Sequence, residues 1–142
     1  MPQAVRVYVP LLHPDLSRVR ERQAAGPAPL TAYAVTRALA ATDPSADEEE
    51  LEHEAHAAAA RDAAGRPGAE RTRRVVLSAD VPADQVVEDS AGDEPARVTL
   101  SHELALRDIV SLHVDEVAGQ HEDEDLLWYD ITELDEVLDL AP

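Results

Sequence analysis

"LLWYDI", residues 126–131, is the stretch on which the reading of the fold turns. It holds the only Trp and one of three Tyr in a chain without Phe. Successive side chains of a β-strand point to opposite faces, so a regular strand here sends Trp128 and Tyr129 to opposite sides of a sheet. One ring then packs beneath helices, and the other meets a second layer or stays partly exposed. In a core otherwise built from Ala, Val and Leu, a large ring is a major share of the apolar area. The acids that precede it, "EDED" at 122–125, read as a solvated approach that discourages pairing of exposed strand edges. After it, Thr132 and Asp135 suit the start of a short helix, with Leu134, Val137 and Leu138 at i, i+3, i+4 spacing.

Working outward, further segments carry the same strand signal. "VRVYV" (Val5–Val9) puts Val5, Val7 and Val9 on one face and Tyr8 on the other, and Pro10 is expected to end it. "LTAYAVT" (Leu30–Thr36), "RRVVLSADVP" (Arg73–Pro82), "ARVTL" (Ala96–Leu100) and "VSLHV" (Val110–Val114) complete the set. Helices are expected between them. One begins near Pro14 and Asp15, buries Leu16 and Val19, keeps Arg18, Arg20 and Arg22 mostly wet, and is stopped by Gly26, Pro27 and Pro29. Another turn follows at Arg37–Ala41. The clearest helix covers 45–63: Ser45 and Glu48 form a capping-box pattern, acids crowd its first turn, and Leu51, Ala55, Ala58 and Ala59 make a narrow stripe able to lie close to a sheet. The acidic segment 83–95 reads as a mobile loop. The expectation is a single α/β domain over residues 1–142, with α+β as the other arrangement: a mixed sheet of about five or six strands with helices on at least one face. Strand order and direction are left open.

Composition narrows the function classes. Cys is absent, which excludes disulfides, thiolate metal sites and cysteine nucleophiles. The start "MPQAVRVYVPLLHPDLSRVR" has no basic segment followed by a long apolar run, so no signal peptide is expected and a cytoplasmic location is. The net charge is −18, unevenly spread: residues 1–41 hold five Arg against Asp15 and Glu21, and the rest of the chain holds the other seven Arg and 28 acids. Such charge opposes binding to nucleic acid and anionic membranes and favours solubility or a basic partner.

The segments "RVYVP", "AYAVT", "EEELE", "RRVVLSADVP", "LHVDE" and "DLLWYDITEL", in this order and spacing, resemble a small family of uncharacterised actinobacterial proteins, a domain of unknown function. The resemblance spans roughly Val5 to Leu138. It implies a bacterial cytoplasmic setting and a single domain, and it carries over no catalytic residue. It also implies an aromatic residue where this chain has His53.

Three constellations can carry chemistry. In "EELEHEAH", Glu49 and His53, like Glu52 and His56, are four apart on a helix, so carboxylates and imidazoles share one face as in helical metal sites. The spacing is not that of H-E-x-x-H, and the plain alternative is a wet acidic face opposite the Leu51–Ala55–Ala58 stripe. "HEDED" (121–125) lacks the spaced ligands and glycine of a calcium loop. In "LHVDE", His113 and Asp115 lie two apart on one strand face, a geometry open to acid–base work in a pocket or to ordinary hydrogen bonding. Trp128 and Tyr129 are candidates for a pocket or partner surface. Ser78, Ser90, Ser101 and Ser111 lack a G-x-S-x-G context, and no Gly-rich phosphate loop exists. Arg18, Arg20 and Arg22 could bind an anionic ligand, but pairing with the chain's own acidic half or with that of a second copy is the preferred expectation. The residues thus favour a non-catalytic cytoplasmic binding or regulatory module whose acidic surface meets a basic protein partner, with no cofactor. The alternative is a small metal-assisted hydrolase or transferase using Glu49, Glu52, His53 and His56.

Overall fold

The computed structural model describes residues 3–89, 93–119 and 126–142. At its centre, strand β1 (Ala4–Leu12) runs antiparallel to β4 (Arg74–Pro82), in register from Ala4↔Pro82 to Leu12↔Arg74. The sheet grows outward from this ladder on both sides. On one side lie β3 (Leu30–Ala34), β6 (Arg97–Leu100) and β5 (Val86–Glu88); on the other lie β8 (Ile109–Val114) and β9 (Leu127–Asp130). The order is β5-β6-β3-β1-β4-β8-β9, with every neighbouring pair antiparallel. A separate two-stranded pair joins β2 (Ala24–Ala25) to β7 (Leu104–Ala105). The chain is a mixed α+β single domain whose sheet has seven strands.

Alternation along the strands gives the sheet two buried faces. Val7, Val9 and Leu11 of β1, Val75, Leu77, Ala79 and Val81 of β4, and Leu112 and Val114 of β8 share the first. It is covered by Leu16 and Val19 of α1 (Leu16–Arg22) and by Leu134 and Val137 of α4 (Leu134–Leu138). The second face carries Tyr8, Tyr33 and Val76, and it receives α3 (Glu48–Ala64) through Leu51, Ala55, Ala58 and Ala59. These methyl-sized side chains let the helix backbone sit near the sheet, as the stripe in the sequence leads one to expect. The short α2 (Arg37–Thr42) precedes α3, with Thr36 accepting from the Leu39 N–H as its cap.

Several boundaries differ from the sequence reading, each for a local reason. Pro10 does not end β1, which continues to Leu12. From Val9 onward β1 has only β4 as a registered neighbour, so the other side tolerates a residue with no N–H. The cap of α3 is Asp47, which accepts from Glu50 N at 2.8 Å; Ser45 instead bonds to Asp43. At the C-terminus Asp130, rather than Thr132, is the capping acceptor, and Glu133 reaches back to the Asp130 N–H. Segment 83–95, read as a loop, contains a 3₁₀ turn (Ala83–Gln85) and the edge strand β5. The "HEDED" stretch at 121–125 lies outside the described residues.

Where β4 begins and β8 ends, Arg74 and Asp115 form a buried fork: Nε to Oδ2 at 3.0 Å and Nη2 to Oδ1 at 2.9 Å, with the Arg74 backbone N–H also donating to Oδ2 at 2.7 Å. Asp115→Ala removes one partner of a pair with both side chains out of water and leaves a buried guanidinium. Chemical denaturation is expected to show a loss of about 3–5 kcal/mol. Ala59→Leu, forced between α3 and the sheet, is expected to lower stability by about 1–3 kcal/mol in the same measurement.

Candidate functional site

Helix α3 lies across β3, β1 and β4, and the sheet extends beyond it to β8 and β9. A groove of about 410 Å³ follows that step. The register decides what lines it. Tyr8 pairs with Ser78, and Ser78 with Ser111, so one row across three strands faces the groove; His113 and Trp128 are cross-strand partners in the next row. The two serines are small and make a low floor, over which the α3 face bearing Glu49, Glu52, His53 and His56 forms one wall. Trp128, 60% exposed, forms the opposite rim.

The imidazoles meet at the bottom. The His56 and His113 rings are 4.4 Å apart between centroids, edge to face, and the Tyr8 ring stands 5.6 Å from His56 in a similar crossing. His113 Nε2 is 3.1 Å from Ser78 Oγ and 3.4 Å from Ser111 Oγ. His56 Nε2 is buried with no hydrogen-bond partner among the described residues. Burial, then the neighbouring His113, His53 and Arg74, push the His56 pKa down to about 4. Burial and Arg6 lower that of His113 as well. Burial and the nearby Glu52 carboxylate push the Tyr8 hydroxyl up to about 12, and that hydroxyl stands 3.5 Å from Glu52. Arg6, also in the lining, is forked onto Asp80 at 2.7 and 3.1 Å, and this contact holds the Asp80 carboxyl below its ordinary range. Near neutral pH the two floor imidazoles are therefore uncharged, and the charges in the lining are those of Glu49, Glu52 and of Arg6, which is paired with Asp80.

The candidate residues divide cleanly. Glu49, Glu52, His53, His56, His113 and Trp128 come together in the groove, although the sequence offered them as separate groups. Tyr129 turns to the other face and packs on the main core. Asp115 is engaged by Arg74 and does not orient His113. Arg6 and Tyr8 were not anticipated, and the sequence presents Ser78 and Ser111 only as nucleophiles to be weighed; the one signal was the alternation that set Tyr8 opposite Val7 and Val9. Among the described residues no three His, Asp or Glu side chains are grouped to hold a metal ion. Ser78 and His113 stand at a nucleophile–base distance, but Ser78 is 2% exposed and, among the described residues, no carboxylate bonds to His113. The groove offers hydrogen-bonding groups on its floor, and carboxylates and an aromatic face at its rim.

The fold and the groove thus define a small antiparallel α+β domain with a ligand-sized recess at the step between its long helix and the open end of its sheet. Residues 5–119 match the model of a family of unknown function, DUF6912, and the chain belongs to that family. The match holds α3, β4 and β8 and stops before β9, so Trp128 comes from outside the matched residues. No curated protein and no solved structure matches the chain.

Proton linkage at His56 follows from its burial. A His with a lowered folded-state pKa binds its proton more readily when unfolded, so its contribution to stability is lost as pH falls from about 6.5 towards 4. Stability curves of the parent chain and His56→Leu are expected to diverge over that window. The parent should lose about 2 kcal/mol more on acidification, after allowance for the partial exposure of the ring.

Proposed function

We propose that this chain is a non-catalytic cytoplasmic binding module that takes a basic protein segment, and that the groove beside α3 receives an Arg or Lys side chain of that partner. The observation that carries this reading is the exposed Trp128 ring standing across the groove from Glu49 and Glu52. A cation between an indole face and carboxylates gains both cation–π and charge attraction. The floor imidazoles are held neutral, and the Arg6 guanidinium in the lining is offset by its fork onto Asp80. The chain's net charge of −18 supports the same partner at longer range, by steering a basic segment towards the surface. No described helix is long and apolar enough to cross a membrane.

Because Trp128 is the only Trp, its fluorescence reports on the groove directly. Titration with a tetra-arginine peptide at low salt is expected to shift or quench that emission saturably, with affinity falling as salt rises. The double substitution Glu49→Gln, Glu52→Gln should weaken binding by about tenfold or more, and Trp128→Ala, followed calorimetrically, by a similar factor. A peptide that binds without touching the Trp128 signal, or equally well to the Gln variant, would place the partner elsewhere and end this reading.

A further inference from the structure

The sheet is split between β1 and β3. Their register is confined to Val7↔Ala34 and Tyr8↔Tyr33, whereas β1 continues on β4 to Leu12 and β3 pairs with β6 from Leu30. Past Tyr8 the two strands part, and a cleft of about 370 Å³ occupies the wedge. Leu11 and Leu30 give it apolar walls. Helix α1 supplies Arg18 and Arg22, and Arg66, just beyond the end of α3, lines it from the other layer. Three arginines therefore line one cavity in a chain of net charge −18.

Their donors are not exhausted by internal partners. Arg22 uses Nη2 towards Glu103 at 3.2 Å, and Arg66 uses Nε towards Asp62 at 2.9 Å. Each guanidinium has five N–H donors in a planar fork, so both retain donors. Arg18 has no ion pair among the described residues. The one carboxylate in the lining, Asp15, accepts from the Leu12 N–H at 2.9 Å. Arg20, two residues along α1 from Arg18, is not part of the lining and pairs with Asp135.

We propose that this cleft binds a small organic oxoanion, a phosphate or carboxylate held by the guanidinium forks of Arg18, Arg22 and Arg66 with its apolar body against Leu11 and Leu30. Guanidinium forks match the oxygen spacing of phosphate and carboxylate, and both groups are bound by charge-assisted hydrogen bonds. The cavity volume lies in the range of small-ligand sites, roughly 300–1,000 Å³, and its lining combines apolar residues with three arginines. The cleft shares no lining residue with the groove at Trp128, so the two sites stand or fall separately.

The test is titration of the full chain with phenyl phosphate and with benzoate, using benzylamine as the charge-reversed control, followed by calorimetry and by backbone amide shifts. At least one of the two anions is expected to bind and to move the amides between Leu11 and Thr31 while leaving the Trp128 indole in place; the tighter of the two identifies the preferred head group. Arg18→Ala, at an exposed position on α1, should weaken that binding by about tenfold, and Arg20→Ala by less than about twofold. Binding of neither anion up to about 10 mM would overturn the proposal. So would an Arg18→Ala protein that binds as tightly as the parent, or benzylamine binding in the same cleft.

Discussion

The contact on which the rest of the molecule depends is the one between the alanine face of α3 and the middle of the sheet. Ala55, Ala58 and Ala59 are buried against Tyr8, Tyr33 and Val76. Larger side chains there would lift the helix, and dispersion contacts decay quickly with separation. Close seating has two consequences. It brings the next face of the helix, with His53 and His56, down to the level of the strand side chains. It also confines the helix to β3, β1 and β4, so the sheet passes out from under it towards β8 and β9. The groove is the edge of that coverage, made by a helix narrower than the sheet on which it lies.

A second constraint fixes what stands on the far side of the groove. β8 reaches the right height only if its register on β4 holds, and the Arg74–Asp115 fork ties the end of one strand to the start of the other. The register shift between Ser78 and Ala79 lies further along the same pair. Between these two points Ser78 faces Ser111 and Val76 faces His113. A slip of one residue would exchange faces, sending His113 into the aliphatic core and Leu112 into the groove. Buried ion pairs add little net stability against apolar replacements, but they penalise misaligned alternatives heavily because a displaced partner leaves a bare charge. In this chain the pair sits where misalignment would do the most damage to the site.

The sequence shows the strands clearly because alternation is a local property. Val5, Val7 and Val9 against Tyr8, and Trp128 against Tyr129, can be assigned to faces without knowing what lies beside them. The alanine stripe of α3 and the i, i+3, i+4 spacing of its Glu and His side chains are equally local. Neighbour relations are not. Nothing near Ser78 in the chain indicates that Tyr8 and Ser111 flank it, because those pairings span 70 and 33 residues and are set by strand order. Pro10 misleads for a related reason: its missing N–H matters only if a strand lies on that side, and β3 has already diverged. Asp115 looks like a partner for His113 at close range, yet Arg74, 41 residues away, claims it through three hydrogen bonds.

Charge distribution follows the same logic of distant pairing. The Arg-rich start of the chain reaches across to later acids: Arg6 to Asp80, Arg20 to Asp135 and Arg22 to Glu103. These pairs are solvent-exposed and add little stability each, but they neutralise acids on the α1 side and beside the central ladder. The first turn of α3, by contrast, carries Glu48, Glu49 and Glu50, which lie at the positive end of its dipole and need no basic neighbour to be tolerated there. Negative charge is thereby left standing next to the groove, while Arg18, Arg22 and Arg66 line the wedge between β1 and β3. One chain with a single strong net charge can in this way keep acids beside one recess and arginines beside another, because local geometry decides which charges are spent on each other.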